Sequence, residues 1–449
     1  MKNYDIIIRD ANIVLPSEVI KGDIGIKEEK IVSIGKIYGN AIEEYNVKGD
    51  YLFPGIIDAH THFQLPLGKV VSRDTFYSGS IAASFGGVTT FIDFVNVNPK
   101  KRLLELLKER IEEAKDAVID YTFHSTITGW KDERKDEIKE VINEGVTSFK
   151  FFMAYGESGR RTDDGMLFSA FSEIRKNKGL ATVHAENDEL VAFFSDRLKR
   201  EGKISPNCYP LSRPHIVEVE AIKTVLGIAA STGVDVYIVH ISTGEGARVL
   251  KEAKQKGQKA YGETTPHYLV LDDSSASRYI SVCPPLRKKE DNKILWEMIK
   301  DNTISTVATD HCPFKKEDKE IGDTIWNIPY GLPGVETLFP IIFTYAKKYD
   351  ISYPQISKIL ALNPAKIFGL YPKKGTLYPG ADADIIIVDE ESQTKITPKN
   401  LHMNSDYNPY EGFRLLGFPK MVFSKGKLIV KDKEFLGERG RGRFLKRPI

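Results

Sequence analysis

Short apolar segments alternate with amphipathic segments along most of the chain, and this alternation predicts the fold. Eight of the apolar segments have the length of buried strands: residues 53–58, 90–95, 121–127, 148–153, 181–184, 235–240, 259–263 and 305–309. The segments between them have helical periodicity, as in 101–117, where Leu103, Leu107 and Ile111 fall on one face. Eight strand–helix alternations predict an α/β fold, a (β/α)8 TIM barrel.

A doubly wound open sheet is the alternative that the same alternation allows. It is less favoured because no glycine-rich dinucleotide fingerprint follows the first strand. Residues with chemical function also recur at the ends of many different strands, which is typical of a barrel whose active site lies at one face.

Both ends of the chain have β character. Residues 384–389 form one predicted strand, and residues 421–423 and 427–430 form a predicted hairpin around Lys425 and Gly426. A β-layer as small as residues 1–52 needs a partner, so we predict that the two ends pair in one small β-sandwich. The predicted domains are residues 1–52 (β-sandwich, N-terminal part), 53–371 (barrel) and 372–449 (β-sandwich, C-terminal part, and tail).

Two longer excursions interrupt the alternation. Residues 187–215 follow the fifth predicted strand, and residues 313–333 follow the eighth. Loops of this length at the catalytic face usually shape a pocket or an oligomer contact.

Composition excludes several classes of function. The 449 residues include 64 Lys+Arg and 62 Asp+Glu, a net charge of +2, without the basic stripe that nucleic-acid binding requires. No apolar stretch has the length of a membrane span. Three widely spaced cysteines, Cys208, Cys283 and Cys312, form no disulfide framework, which favours a reducing, cytoplasmic location.

Candidate chemistry lies at the carboxyl ends of the predicted strands, where a barrel holds its active site. Six residues with metal-binding or acid–base side chains occupy these ends: His60, His62, Lys150, His184, His240 and Asp310. On a strand, His60 and His62 point to the same side and can reach one metal ion, for which zinc is a suitable choice. Asp310 could bind a metal through one oxygen and take a proton from bound water through the other.

Lys150 is unusual because it lies in the otherwise apolar segment 148–153. A buried ammonium beside metal cations is costly, so the amine could be deprotonated, or carbamylated by carbon dioxide to an anion that bridges two metals. A lysine whose amine reaches out of the barrel is the structural alternative.

Other histidines near the predicted strand ends are weaker candidates for metal ligands. His124 and His267 lie near strand ends and are second-choice ligands that we expect to support the site instead. His311 and Cys312 follow Asp310 directly and are expected to pack around it, since neighbours on an extended strand point in opposite directions.

Several motifs combine in the pattern of a known family: residues 58–62 (DAHTH), 149–155 (FKFFMAY), 183–187 (VHAEN), 239–242 (VHIS) and 309–314 (TDHCPF). With these motifs the chain resembles the amidohydrolase superfamily over essentially its whole length. It is most similar to the cyclic-amidase branch of dihydropyrimidinases, hydantoinases, allantoinases and dihydroorotases.

The resemblance implies two divalent metal ions, with zinc as the expected metal. His60, His62 and Asp310 would hold one ion, His184 and His240 the other, and carbamylated (N6-carboxy) Lys150 would bridge them. Tyr155 falls where dihydropyrimidinases and hydantoinases have a tyrosine that stabilises the oxyanion. The family also implies a homotetramer, or a homodimer.

Within the branch, segments 62–68, 211–214 and 406–412 resemble dihydropyrimidinases and hydantoinases. Cys283 and Tyr330 fall at positions that grip the ring's amide edge in the family, where hydantoinases commonly have Ser and Asn. Dihydroorotases carry Arg two residues after the second histidine, whereas this chain has the uncharged Gln64. We therefore expect a neutral ring to be preferred over dihydroorotate, unless Arg73 or Arg161 replaces the missing arginine.

The predicted function is binuclear metal-dependent hydrolysis of a cyclic amide or imide, a dihydropyrimidine or a 5-substituted hydantoin, to an N-carbamoyl amino acid. Hydroxide would attack the ring carbonyl, Tyr155 would stabilise the oxyanion, and Asp310 would carry the proton to the leaving nitrogen. Allantoinase or dihydroorotase activity is the alternative within the branch. A mononuclear deaminase is disfavoured by Lys150, and an inactive homologue acting as an assembly partner is disfavoured because all six ligands are present.

Overall fold

Eight parallel strands form one sheet in chain order in the computed structural model, which describes residues 4–447. They are Ile56–Thr61, Val88–Phe94, Asp120–Thr126, Ser148–Phe152, Leu180–His184, Asp235–Ile238, Ala260–Thr264 and Thr306–Val307. A parallel bridge from Thr61 to His311 and a hydrogen bond from the Thr309 amide to Asp58 at 3.0 Å connect the last strand to the first. The predicted barrel is confirmed.

Helices connect the barrel strands and cover their outer side. The α-helices are Phe76–Phe85, Leu103–Glu113, Lys135–Asn143, Asp164–Lys176, Asp188–Arg200, Tyr209–Ser212, His215–Thr232, Gly244–Gln255, Pro266–Val270, Lys289–Lys300, Lys316–Lys319, Leu338–Ala346, Tyr353–Ser357 and Asn363–Ile367, with a π-helix at Lys358–Leu362. In Asp164–Lys176 the buried residues Leu167, Phe171 and Ile174 recur every three or four positions, so one face of the helix packs on the barrel.

Strands from both chain ends form a second sheet of nine strands. They are Tyr4–Val14, Val19–Lys27, Lys30–Gly35, Ala41–Asn46 and Tyr51–Pro54 from one end, and Ile385–Val388, Met421–Ser424, Lys427–Lys431 and Glu434–Phe435 from the other. Tyr51–Pro54 pairs antiparallel with Ile385–Val388 and so joins the two halves. This sheet has its own core, which includes Ile8, Ile24 and Phe423. The predicted small β-sandwich built from both chain ends is confirmed.

The predicted first barrel strand, 53–58, is divided in the structure. Its beginning belongs to Tyr51–Pro54 of the second sheet, and the barrel strand itself begins at Ile56. Gly55 lies at the crossing, where its amide donates to Asp384 O at 2.8 Å. A Cβ at this position would lie 2.1 Å from Thr89 Oγ1, so the close approach of the two sheets requires glycine here.

The domain boundaries at 52/53 and 371/372 stay a prediction, and their outer limits at residues 1–3 and 448–449 lie outside the described residues. The excursion at 313–333 lines the pocket described below, as predicted. Within residues 4–447, no helix has both the length and the apolar character needed to cross a membrane.

Candidate active site

Three predicted ligands converge at the carboxyl end of the first and eighth strands. Asp310 Oδ1 lies 3.1 Å from His60 Nε2 and 3.0 Å from His62 Nε2, and the two Nε2 atoms are 3.2 Å apart. Burial by itself favours the neutral acid, but His60 and His62 hold the pKa of Asp310 well below its usual range. An ionised carboxylate therefore faces two imidazoles, a donor set suited to a divalent cation.

His184 and His240 form a second pair at the ends of the fifth and sixth strands. His184 Nδ1 lies 3.0 Å from His240 Nε2, and both rings are almost fully buried. The His60 and His240 ring centroids are 5.5 Å apart, so the second pair adjoins the first group. The structure thus brings the five predicted histidine and aspartate ligands into one place.

Two carboxylates that the sequence analysis missed orient these imidazoles. Glu263 Oε1 lies 2.7 Å from His60 Nδ1 and also accepts the His240 amide at 3.0 Å. Glu186 Oε2 lies 2.8 Å from His184 Nε2. Carboxylates that hold the outer nitrogen of a metal-binding imidazole fix its tautomer and direction, so their positions favour a metal at the inner nitrogens.

Lys150 is buried between aromatic rings at the centre of the site. Its amine lies 5.3 Å from the Phe94 ring centroid and 5.0 Å from that of Phe152, and no carboxylate of residues 4–447 is within ion-pairing distance of it. Burial lowers the pKa of the Lys150 amine to about 7. A neutral amine is the form that reacts with carbon dioxide, so the surroundings favour carbamate formation.

Tyr155 and Cys283 contact each other in the pocket. The Tyr155 hydroxyl donates to Cys283 Sγ at 2.9 Å, and Sγ donates to Glu186 Oε2 at 3.3 Å. Burial raises the pKa of Tyr155 well above its ordinary value and that of the Cys283 thiol to about 12. Both groups are therefore protonated, and the phenol can donate a hydrogen bond to a substrate oxygen because a thiol is only a weak competing acceptor.

Three site residues have left-handed backbone conformations that side chains rarely adopt. Their φ angles are +71° for Tyr155, +38° for His240 and +51° for Asp310. Such conformations cost free energy and persist where the surrounding structure holds them, often at active sites. The backbone here aims three side chains into one cavity at the expense of local strain.

The remaining predicted substrate contacts divide into two groups. Tyr330 lines the pocket beside Cys283 and stacks on Tyr209 at 4.1 Å between ring centroids. Gln64 is not among the lining residues, and its Oε1 accepts the amide of Phe76 at 3.0 Å, at the start of the helix Phe76–Phe85. Its neighbour Leu65 lines the pocket in its place.

Of the second-choice ligands His124 and His267, His124 has supporting contacts, and so does His311, which was expected to pack around Asp310. His124 is held by Ser148 Oγ at 2.6 Å and Ala59 O at 3.0 Å. His311 bonds Asp74 at 3.0 Å through Nε2 and accepts backbone amides through Nδ1. His267 is buried, and burial lowers the pKa of its imidazole to about 4.

The pocket is a cavity of about 680 Å³ that opens at the carboxyl ends of the barrel strands. The six predicted ligands lie within it, together with Tyr155, Cys283 and Tyr330. Its upper walls come from the hairpin of Pro66–Leu67 and Val70–Val71 and from the segment 326–331. Several features of this cavity together fit a pair of divalent ions. They are the imidazole nitrogens that face the cavity, the Asp310 carboxylate, the carboxylates of Glu186 and Glu263 behind the imidazoles, and the Lys150 amine, which has no ion pair with any of residues 4–447.

Comparison with known proteins gives similarity over the whole chain. Residues 51–429 match the family model for the amidohydrolase family. A D-hydantoinase from Geobacillus stearothermophilus is 37% identical, and the alignment covers 98% of this chain and 96% of that protein.

Solved structures give the same result. A dihydropyrimidinase structure from Brevibacillus agri is 36% identical, with a TM-score of 0.96 and coverage of 98% of both chains. An L-hydantoinase (dihydropyrimidinase) from Arthrobacter aurescens is 28% identical, with a TM-score of 0.92 over 99% of this chain and 100% of that one.

Proposed function

The chain belongs to the amidohydrolase family and hydrolyses a cyclic amide, and we propose that its substrate is a dihydropyrimidine or a 5-substituted hydantoin, opened to an N-carbamoyl amino acid. The observation that carries the proposal is the convergence of His60, His62 and Asp310 beside His184 and His240 in one pocket. An inactive homologue would have no need to keep this complete donor set.

Members of this family typically depend on two metal ions. We assign His60, His62 and Asp310 to one ion and His184 and His240 to the other, with carbamylated Lys150 shared between them. The imidazole-rich donor set favours zinc. When bound, the two ions would supply a water that is deprotonated near neutral pH and would polarise the ring carbonyl.

The chain's own residues perform the remaining steps. Asp310 is ionised, so it can accept a proton and deliver it to the ring nitrogen as the C–N bond of the amide breaks. The Tyr155 hydroxyl can turn from Cys283 Sγ to the carbonyl oxygen and stabilise the charge that develops there. Apolar side chains that line the cavity lower the local dielectric around these charges, which strengthens both interactions.

Substrate contacts are proposed at two residues that line the same pocket as the proposed metal ligands. Cys283 and Tyr330 would hold the amide edge of the ring through their backbone groups. Gln64 itself provides no positive charge for a carboxylate attached to the ring, and its amide oxygen is already engaged with Phe76. Arg73 is likewise paired with Asp318, and Arg161 with Glu189, so neither replaces the missing charge.

A substrate panel tests the proposed function. We expect kcat/KM for dihydrouracil or 5-phenylhydantoin to exceed that for dihydroorotate by about tenfold or more, because a ring carboxylate would lack a partner. Metal analysis of protein purified without chelators should give two equivalents per chain. Preferred hydrolysis of dihydroorotate or allantoin would overturn the substrate assignment, and one equivalent at full activity would overturn the binuclear site.

We also propose a homotetramer, or a homodimer, in the cytoplasm. Support for self-association comes from large apolar side chains exposed on residues 188–216, namely Phe193, Ile204, Leu211 and Ile216. Support for a reducing compartment comes from the three cysteines, which are all free.

A further inference from the structure

Two positively charged side chains at the pocket lack a counter-charge. Arg160 and Lys69 both line the cavity, and neither side chain has a hydrogen bond or an ion pair with any of residues 4–447. Among the described residues that line the cavity, the carboxylates are Asp310, which faces the histidines, and Asp318, which is paired with Arg73. The mouth of the cavity therefore carries uncompensated positive charge.

The position of Arg160 is fixed relative to the chemistry. Its backbone amide donates to Tyr155 O at 3.2 Å, and Ser158 Oγ donates to the same oxygen at 3.0 Å. The loop 156–160 thus folds back onto the residue that faces the substrate carbonyl. Arg160 is half-buried, whereas an arginine without a role in recognition would usually extend into water or pair with a carboxylate.

Arg161 shows what a structural arginine does in the same loop. Its guanidinium pairs with Glu189 at 2.5 Å and lies 3.5 Å from Asp188, on the helix Asp188–Arg200. Arg160, one residue earlier, has no such partner although it is closer to the cavity. The contrast indicates that the guanidinium of Arg160 is available to a ligand.

Lys69 lies on the hairpin that forms part of the upper wall of the cavity. It lies in the two-residue turn between Pro66–Leu67 and Val70–Val71, and its side chain is exposed. The cavity lining also includes the apolar side chains of Leu65, Leu67 and Ile328. An apolar spacer that ends in an anion matches this arrangement.

We propose that Arg160, assisted by Lys69, selects rings whose substituent ends in a carboxylate, that is, 5-(carboxyalkyl)hydantoins whose products are N-carbamoyl derivatives of acidic amino acids. This inference rests on the proposed function and refines its substrate class. A guanidinium binds a carboxylate through two parallel hydrogen bonds, and the low-dielectric walls strengthen the pair. The carboxylate concerned lies at the end of a flexible substituent and not on the ring, so dihydroorotate stays a poor substrate.

Two substrates of nearly the same shape but different charge separate the effect of charge on kcat/KM from the effect of size. We would compare kcat/KM for 5-(2-carboxyethyl)hydantoin and 5-(2-carbamoylethyl)hydantoin, which differ in charge but hardly in shape. The wild-type enzyme should favour the acid about tenfold or more, and the preference should fall as ionic strength rises. Arg160→Gln should bring the ratio close to one, whereas the matched control Arg161→Gln should leave it unchanged.

Each outcome has a distinct meaning. A wild-type ratio near one, or a ratio that Arg160→Gln does not change, would overturn the inference while the proposed function stands. An equal fall in both variants would assign the preference to the general field of the protein and would also overturn the role of Arg160. If the wild-type enzyme hydrolyses neither compound nor any neutral hydantoin or dihydropyrimidine, the proposed function itself fails.

Discussion

Tyr155 has a protonated hydroxyl, a strained backbone and a weak hydrogen-bond acceptor as its partner. Such a donor is already desolvated and directed, so a substrate oxygen can take it over with little reorganisation. We expect Tyr155→Phe to lower kcat about 10²–10³-fold, the loss typical of one oxyanion donor. Metal content should stay unchanged, since Tyr155 is not a ligand.

Steady-state kinetics and metal analysis of the same preparation check this prediction. Tyr261→Phe is the matched control, because Tyr261 lies in a cavity at the opposite end of the barrel and should leave kcat unaffected. A fully active Tyr155→Phe enzyme would exclude the oxyanion role.

Substitution of Lys150 distinguishes a role in holding the metals from a purely structural role. We expect Lys150→Ala to lose bound metal and activity while the cooperative thermal unfolding transition remains, because a small side chain is compatible with the surrounding aromatic rings. Added acetate should partly restore metal content and turnover by replacing the carbamate, whereas acetamide should not. Full activity in Lys150→Ala would assign the lysine a structural role only.

At the level of the elements, the barrel strands were predictable, and so was the convergence of the five histidine and aspartate residues that we propose as ligands. A short apolar segment and the residue that ends it are adjacent in sequence, so a local pattern contains both. Glu263 is the last residue of the predicted strand 259–263 and the one before the end of the observed strand, so a search of all strand ends for carboxylates would have found it. Glu186 lies two residues beyond His184 in a recognised motif and gave the same signal.

What the sequence could not provide are contacts between distant elements. The Gln64 side chain turns to the helix Phe76–Phe85 because its backbone adopts φ +51°, which no local pattern predicts. The difference between Arg160 and Arg161 likewise depends on the helix Asp188–Arg200, to which only Arg161 is directed. Side-chain direction at such sites follows from tertiary packing and not from residue type.

The helix Asp188–Arg200 also supports a prediction about assembly. Phe193 is 55% exposed and Leu211 is 54% exposed, and Ile204 and Ile216 are also exposed within residues 188–216, a grouping that favours a contact surface. We expect Phe193→Asp combined with Leu211→Asp to shift the protein to a smaller species in sedimentation equilibrium. Phe168→Asp is the control, since Phe168 is equally exposed at 50% on another helix. An unchanged mass in the double variant would place the interface elsewhere.

At the scale of the whole molecule, a buried charge cluster connects the barrel to the second sheet. Lys374 Nζ lies 2.7 Å from Asp120 and Asp384 and 3.0 Å from Asp382, and Lys425 also pairs with Asp120. Asp120 begins the third barrel strand, whereas Asp384 precedes Ile385–Val388. The two parts of the molecule thus share charges that neither could bury alone.

Removing the central cation should therefore destabilise both parts. We expect Lys374→Met to lower the free energy of unfolding by about 3–5 kcal/mol, because three buried carboxylates would lose their main counter-charge. Denaturant unfolding at neutral pH measures this, and Lys373→Met, at an exposed neighbouring lysine, is the control. A difference of less than about 1 kcal/mol between the variants would contradict the structural role.

The same cluster predicts the response to acid. Burial disfavours the charged form of Asp120, but Lys374 and Lys425 overcome this and lower its pKa to about 2. Because the folded-state pKa is depressed, the stabilisation is present above about pH 4 and is lost as pH falls towards 2. The midpoint of denaturant unfolding should therefore decrease over this range in the wild-type protein. A constant midpoint would argue against stabilisation of the fold by ionised Asp120.

The second sheet has a consequence for synthesis on the ribosome. Its closing contacts are remote in sequence: Lys30 pairs with Asp382 across 352 residues, and Arg443 with Glu29 across 414. At translation rates of about 5–20 residues per second, the strands up to Pro54 wait on the order of tens of seconds for their partners. During this interval the nascent chain exposes an open strand edge, the kind of surface that chaperones bind and that aggregates form on. A premature stop after Asp310 would preserve every proposed metal ligand and still leave that edge uncovered for the life of the protein.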